Sequence, residues 1–238
     1  MSNKNSKRAI GMKRFFRIFF SRGWVTKICF GIIAAFVFIA IFAPVLTQYT
    51  PYEQNLRYIL ANPSSEHLLG CDNIGRDTLT RLLFGARVSL ITGLLSSIWA
   101  AVLGTSIGLI AGYVGGWLNS FVMRFTDAMI AIPPIIFTMV LSTMVTGNLM
   151  GISLVIGVSI IPSYIRMVNG LVISLRENDY VTASNLIGQK QLVIMFRHLL
   201  PNCLASLIVT FTMNVGTAIM LESTLSYLGV GIIPPTPA

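Results

Sequence analysis

Charged residues are scarce in this chain of 238 residues, where Asp, Glu, Lys and Arg together make up 11% of the sequence. A soluble domain carries about 25% of these four residues, because its surface has to interact with water. Hydrophobic residues account for 54%, and the mean hydropathy is +0.77. Most of the exterior must therefore face an apolar medium such as lipid, which excludes a soluble enzyme, a secreted disulfide scaffold and a disordered tail.

Cysteine and histidine are also rare. The three cysteines, Cys29, Cys71 and Cys203, have no spacing typical of a disulfide framework or a metal site. The two histidines, His67 and His198, lie in different polar segments. The sequence contains no Gly-x-x-x-x-Gly-Lys-[Ser/Thr] phosphate loop, no paired carboxylates and no Ser-His-Asp arrangement. These absences predict a chain that is not an enzyme and that holds neither a cofactor nor a metal ion.

Positive charge is concentrated near the N-terminus. The net charge of +9 would favour nucleic-acid binding if the basic residues shared one polar domain. Eight of the seventeen Lys and Arg residues instead lie within residues 1–27, and the others flank apolar runs. This distribution indicates membrane topology, and no nucleic-acid partner is expected.

Long charge-free runs predict an all-α integral membrane protein, a polytopic bundle of five transmembrane helices. A helix needs about 20 apolar residues to cross the hydrocarbon core. The first run is too long for a signal peptide and is interpreted as an uncleaved anchor. Two further runs are too long for one crossing and break at Gly-rich turns, at 112–116 and 147–148. The predicted spans are 28–46, 88–111, 119–146, 150–172 and 202–221.

The positive-inside rule predicts the orientation of these spans. Alternating crossings place thirteen Lys and Arg on the side of the N-terminus and four in the 47–87 loop. The N-terminal arm, residues 1–27, is therefore expected in the cytoplasm, and the 47–87 loop outside it. From Asp77 this loop has helical apolar spacing, which predicts an amphipathic helix with an Asp77–Arg81 pair.

Two acidic residues lie in or beside the predicted spans. Asp127 and Glu222 are expected near opposite membrane interfaces, where water reaches them, and Asp127 is expected to pair with Arg124. The alternative is a proton relay through Asp127 or Glu222, which would make the chain an ion-gradient-driven secondary transporter. Small residues at four-residue spacing predict close helix packing; they are Gly104, Gly108 and Gly112.

The polar segment 176–201 is expected to be a cytoplasmic loop built from two short helices. Glu177 and Asp179 favour the start of the first helix, where the helix dipole stabilises negative charge. Gly188 is suited to ending it, and a second amphipathic piece is expected to close at Pro201. One face of the first helix is predicted to carry four residues: Val181, Ser184, Ile187 and Gly188. Such a projection could fit a groove on another protein.

Three motifs resemble those of binding-protein-dependent ABC transporter permeases. The pattern Thr182-Ala183-Ser184, Gly188 and His198-x-Leu200-Pro201 resembles their Glu-Ala-Ala loop. The segment Leu69-Gly70-x-Asp72-x-x-Gly75-Arg76-Asp77 resembles the second, C-type permease subunit of dipeptide, oligopeptide and nickel systems, as do Glu222–Gly231 and Pro234–Pro237. The similarity covers nearly everything from the first span onward.

This resemblance implies a multi-pass permease subunit of an ABC importer in a bacterial-type cytoplasmic membrane, carrying peptides, nickel or related small solutes. Its implied partners are cytoplasmic ABC ATPase subunits, a second homologous permease subunit and an extracytoplasmic solute-binding protein. The ATPase-coupling loop would comprise Glu177, Tyr180, Thr182, Ala183, Ser184, Gly188 and Pro201.

The chain departs from the family pattern at several points. Thr182 stands where the family typically has Glu, Ser184 where it has Ala, and Cys71 where it has Thr. Family members also have a sixth span after the Pro-Pro-Thr-Pro stretch. The permease core, residues 88–238, is therefore expected to be C-terminally truncated.

Overall fold

The computed structural model describes residues 23–145, 147–232 and 236–237. Within these residues the chain forms helices and, apart from an isolated bridge between Cys71 and Asp77, no β structure. The basic arm up to residue 22 and the Pro234-Pro235 pair lie outside the described residues. The helices are α1 (Trp24–Leu46), α2 (Thr78–Val114), α3 (Gly116–Ala131), α4 (Pro134–Ser142), α5 (Leu149–Arg176), α6 (Asp179–Leu186), α7 (Gln191–Ile194) and α8 (Leu200–Tyr227).

Four helical stretches are long and apolar enough to cross a membrane. They are α1, α2, α5 and the continuous stretch Gln191–Tyr227. Helices α3 and α4 add a fifth if they are counted as one span, although the pair is bent by 89°. The bend coincides with Pro133-Pro134, because proline cannot continue the helical hydrogen bonds of the preceding turn. The all-α polytopic class is confirmed. The bend of 89° within the third span is much larger than that of an ordinary proline kink.

Helix α2 joins two elements that the sequence predicted separately. The amphipathic helix after Asp77 and the second span form one helix of 37 residues, about 55 Å long. The Asp77 side chain caps its start by accepting a hydrogen bond from the Thr80 N–H at 2.7 Å. No glycine or proline lies between residues 86 and 92 to interrupt it. The predicted break at 112–116 is confirmed, because α2 ends at Val114 and is followed by Gly115, whose φ is +71°.

The contact between α2 and α5 is made through the glycine ridge. A Cβ atom at Gly104 would lie 2.6 Å from Tyr164 Cβ, and one at Gly108 would lie 2.8 Å from the Ile165 carbonyl oxygen. At Gly112 the distance to Val172 Cβ would be 3.0 Å. Side chains at these positions would hold the two backbones apart. The predicted role in close packing is confirmed.

The chain from Gln191 to Tyr227 does not break at Pro201. A π-helical segment, Met195–Leu199, joins α7 to α8, and the Leu200 N–H bonds to the Met195 carbonyl. This wider turn accommodates Pro201 in the first turn of α8. The prediction of an amphipathic piece closed by Pro201 is therefore wrong.

Candidate functional site

Helix α6 is held against the end of the bundle by Val181. This side chain is only 1% exposed, and it lies in a cluster of buried residues from the helices around it. The cluster contains Leu109, Val168, Val172, Ile194, Met195, Leu199 and Cys203. One apolar anchor thus fixes the position of the short helix on its larger neighbours.

The opposite side of α6 is exposed and partly apolar. Thr182 and Ala183 are exposed, and the side chains of Leu186 and Ile187 are 83% and 82% exposed. The prediction that Ile187 shares a face with Val181 is wrong, because six helical positions leave two residues about 120° apart. Neighbouring exposed apolar side chains in a polar segment are typical of a surface that contacts a partner.

The corner after α6 is formed as predicted at Gly188. Its φ is +78°, a conformation that glycine adopts without steric cost. The Gly188 N–H bonds to the Asn185 carbonyl at 3.0 Å, and the Gln189 N–H bonds to the Ser184 carbonyl at 3.1 Å. A Cβ at Gly188 would meet no atom within 4 Å, so backbone conformation rather than space requires glycine here.

Three polar contacts connect α6 and its neighbours to the ends of the long helices. Arg176 donates to the Gly112 carbonyl at 3.1 Å, and the Tyr113 hydroxyl donates to Asn185 Oδ1 at 3.1 Å. The Asn202 amide donates to the Tyr180 hydroxyl at 3.3 Å. These contacts link the segment to α2 and α8, and none of them was predicted from the sequence. The one available signal was Arg176 at a helix C-terminus, where cations often bind free carbonyl groups.

The structure brings some of the predicted coupling residues together and leaves others apart. The Ser184 hydroxyl donates to the Tyr180 carbonyl at 2.8 Å, so these two residues share one helical turn. Glu177 does not begin α6 as predicted but caps the end of α5, and Asn178 precedes α6 instead. Pro201 is exposed within the first turn of α8.

Residues 69–77, the Asp72 motif, fold around the Asp72 carboxylate. Asp72 accepts hydrogen bonds from the Ile74 N–H at 3.0 Å, the Arg76 N–H at 2.9 Å and Arg76 Nε at 2.7 Å. Burial raises the pKa of Asp72, but the hydrogen bonds from Arg76 and Ile74 outweigh it, so that this pKa lies below its usual value. Arg81 Nε lies 3.8 Å from Asp72 Oδ2.

Asp77 connects the Asp72 motif to His67. Besides capping α2, Asp77 lies 3.0 Å from His67 Nδ1, and both residues are buried. The His67 ring lies between Tyr49 and Tyr58, with ring centres 4.8 and 4.9 Å away. Burial raises the pKa of Asp77, yet the hydrogen bonds from Thr80 and His67 bring it below its usual value. The predicted Asp77–Arg81 pair is wrong, because Arg81 is directed toward Asp72.

The two glycines of this motif allow close backbone contacts. Gly70 and Gly75 have φ of +72° and +76°. A Cβ at Gly75 would lie 2.0 Å from the Asn55 carbonyl oxygen, and one at Gly70 would lie 2.4 Å from the Ala61 carbonyl oxygen. The motif therefore packs closely against residues 55–63, which precede it in the chain.

Glu222 lies between α2 and α8 rather than near water. Its side chain is fully buried and accepts hydrogen bonds from the hydroxyls of Ser89 at 2.9 Å and Ser226 at 2.8 Å. The Ser226 hydroxyl in turn accepts from the Ile232 N–H at 3.2 Å. The expected exposure to water is wrong for Glu222, because α2 extends far enough to cover this part of α8.

Asp127 forms an ion pair with Arg166 of α5 and not with Arg124. Asp127 lies within α3 rather than at the end of a span. Helix α3 packs against α5 here, which brings the Arg166 guanidinium to the carboxylate. In the part of the chain that the structure describes, no three His, Cys, Asp or Glu side chains are arranged to hold a metal ion.

Comparison with known proteins identifies the family. Residues 104–238 match the binding-protein-dependent transport system inner membrane component, and residues 12–63 match the N-terminal TM domain of oligopeptide transport permease C.

Three relatives illustrate the similarity. The dipeptide transport system permease protein DppC of Haemophilus influenzae is 40% identical over 223 residues, 91% of this chain and 75% of the relative. The oligopeptide transport system permease protein OppC of Bacillus subtilis is 31% identical over 234 residues, 98% of this chain and 77% of the relative. The glutathione transport system permease protein GsiD of Pectobacterium atrosepticum is 35% identical over 175 residues, 74% of this chain and 58% of the relative. The chain therefore belongs to the inner membrane components of binding-protein-dependent transport systems.

Proposed function

We propose that this ABC importer permease subunit carries peptides across the cytoplasmic membrane of a bacterium. Its relatives are named as permeases for dipeptides, oligopeptides and glutathione, which are all compounds with peptide or peptide-like backbones. The alternative, a secondary transporter driven by an ion gradient, is not favoured, because Asp127 is ion-paired and Glu222 is buried between two helices.

Helix α6 is the surface that we propose for ATPase docking. The observation that carries this assignment is the pair of side chains Leu186 and Ile187, which are more than 80% exposed beside the buried anchor Val181. Partner binding would remove these two side chains from water, while Val181 keeps the helix attached to the bundle. Thr182, Ala183 and Gly188 would allow close approach because their side chains are small or absent. Tyr180 and Ser184 lie on the same short helix, and we propose that Glu177 at the end of α5 and Pro201 at the start of α8 contribute to the edge of the docking surface.

The remaining assignments follow from this placement. If α6 is cytoplasmic, the N-terminal arm with its eight Lys and Arg residues is cytoplasmic too, in keeping with the positive-inside rule. The Asp72 motif would then lie on the opposite side of the membrane and face a solute-binding protein. We propose that a second permease subunit completes the path.

Uptake in membrane vesicles containing the complete transporter tests the proposal. We expect uptake of radiolabelled dialanine to require ATP and to stop when the phosphate-loop lysine of the ATPase partner is replaced by alanine. Uptake should continue when an ionophore collapses the ion gradients. Uptake that survives loss of the ATPase but stops with the ionophore would instead indicate a secondary transporter.

A further inference from the structure

Helix α5 has one exposed stripe through its middle, and this stripe is polar or small. Ser163, Arg166, Gly170 and Ser174 are all exposed, and their spacing places them on one side of the helix. The large apolar side chains of α5 between residues 159 and 176 are all buried or only partly exposed. The stripe extends over about 16 Å along the helix axis.

The exposed side of α1 differs in composition from the stripe on α5. Its accessible side chains are large and apolar, as expected for contact with lipid; they include Phe30, Ile33, Phe36, Phe38, Ile41 and Val45. The stripe on α5 lacks such side chains and contains a charge, which lipid does not solvate. It therefore faces protein or water.

The Asp127–Arg166 pair lies at membrane depth and is accessible. Arg166 is ten residues before the end of α5, about 15 Å from that end. The Asp127 and Arg166 side chains are 58% and 52% exposed. Beside the pair, Ser163 accepts a hydrogen bond from the Asn214 amide of α8 at 3.1 Å. The pair thus belongs to a polar surface shared by α3, α5 and α8.

We infer that this surface lines the water-filled path and that the ion pair contacts the charged ends of the transported peptide. Arg166 would bind the C-terminal carboxylate, since guanidinium groups match carboxylates in geometry, and Asp127 would bind the N-terminal ammonium. A peptide with free ends carries both charges at neutral pH. The assignment of the ligand rests on the proposed function, whereas the exposure of the surface to water does not.

Cysteine accessibility tests the path itself, independently of substrate. In the complete transporter, with Cys29, Cys71 and Cys203 replaced by alanine, single cysteines would be introduced at Ser163, Gly170 and Ser174. A Cβ at Gly170 would meet no atom within 4 Å, so a side chain fits there. The matched controls are Ile33→Cys and Ile41→Cys on α1.

We expect a charged, membrane-impermeant methanethiosulfonate to label the α5 cysteines at least about tenfold faster than the α1 cysteines, because thiolate forms readily only in contact with water. Labelling no faster than in α1 would overturn the inference, since the surface would then be covered by a second permease subunit or by lipid.

Charge substitution tests the contact with the peptide ends. Arg166→Gln and Asp127→Asn should each reduce dialanine uptake by about tenfold or more, as expected on losing a hydrogen bond to a charged group. Arg166→Lys should retain part of the uptake. Arg124→Gln removes a nearby charge outside the pair and should leave uptake unchanged.

The exchanged variant, with Asp127→Arg and Arg166→Asp together, separates a structural role of the pair from a role in binding. A purely structural ion pair would be restored by the exchange, and recovered uptake would overturn the inference. We expect uptake to stay low while the amount of transporter and its bound ATPase equal those of the unmodified chain. If the unmodified transporter itself does not carry dialanine, the proposed substrate class fails, and cysteine accessibility still decides the path.

Discussion

Replacement of both Leu186 and Ile187 by aspartate should abolish binding of the ATPase subunit. The two side chains are 83% and 82% exposed, so the change removes no packing within this chain. Truncating a hot-spot side chain at the centre of an interface costs about 2 kcal/mol or more, and two introduced carboxylates would also have to be desolvated there. We expect the ATPase to be lost from the transporter purified through a tag on this chain.

Leu56 provides the matched control for this experiment. It is 76% exposed and lies between α1 and α2, a segment that we propose to be on the opposite side of the membrane from the ATPase. Leu56→Asp should leave the ATPase bound. Equal loss in both variants would attribute the effect to general destabilisation, and retention of the ATPase in the Leu186/Ile187 variant would contradict docking on α6.

Gly108→Leu should strongly destabilise the bundle. A Cβ at this position would lie 2.8 Å from the Ile165 carbonyl oxygen and 3.1 Å from Val168 Cβ. A backbone atom cannot rotate away, so α2 and α5 would have to separate, at a cost of about 3 kcal/mol. We expect a large drop in the thermal unfolding temperature of the detergent-purified protein and much lower yield.

Gly31→Leu is the matched control for Gly108→Leu. Gly31 lies on α1, and no atom comes within 4 Å of a Cβ built there. This variant should unfold at nearly the temperature of the unmodified protein. An unchanged unfolding temperature in Gly108→Leu would mean that α2 and α5 do not pack through the glycine ridge.

The parts of the fold that could be predicted depend on local patterns. The ridge at Gly104, Gly108 and Gly112 follows from four-residue spacing, and the corner at Gly188 follows from the conformational freedom of glycine. The continuity of α2 was missed because a change from polar to apolar composition was interpreted as a boundary. Two consecutive prolines at 133 and 134 indicate an interruption of the helix, but the 89° size of the bend cannot be inferred from them.

The interactions that could not be predicted join residues far apart in the chain. Arg166 is 39 positions from Asp127, and Ser89 is 133 positions from Glu222. For Asp127 the sequence offered a nearer partner, Arg124, at helical spacing. Neither the burial of Glu222 nor the Asp127–Arg166 pair can be inferred without knowing which helices are neighbours.

Coupling through α6 is tested most directly by the sidedness of Leu186. A single cysteine at this position, in a background without the three native cysteines, would be treated in intact cells and in inverted membrane vesicles. We expect the impermeant thiol reagent to label it only in the inverted vesicles, and a thiol crosslinker to join it there to the ATPase subunit. Labelling in intact cells would place α6 outside the cytoplasm, where no ATPase could bind it.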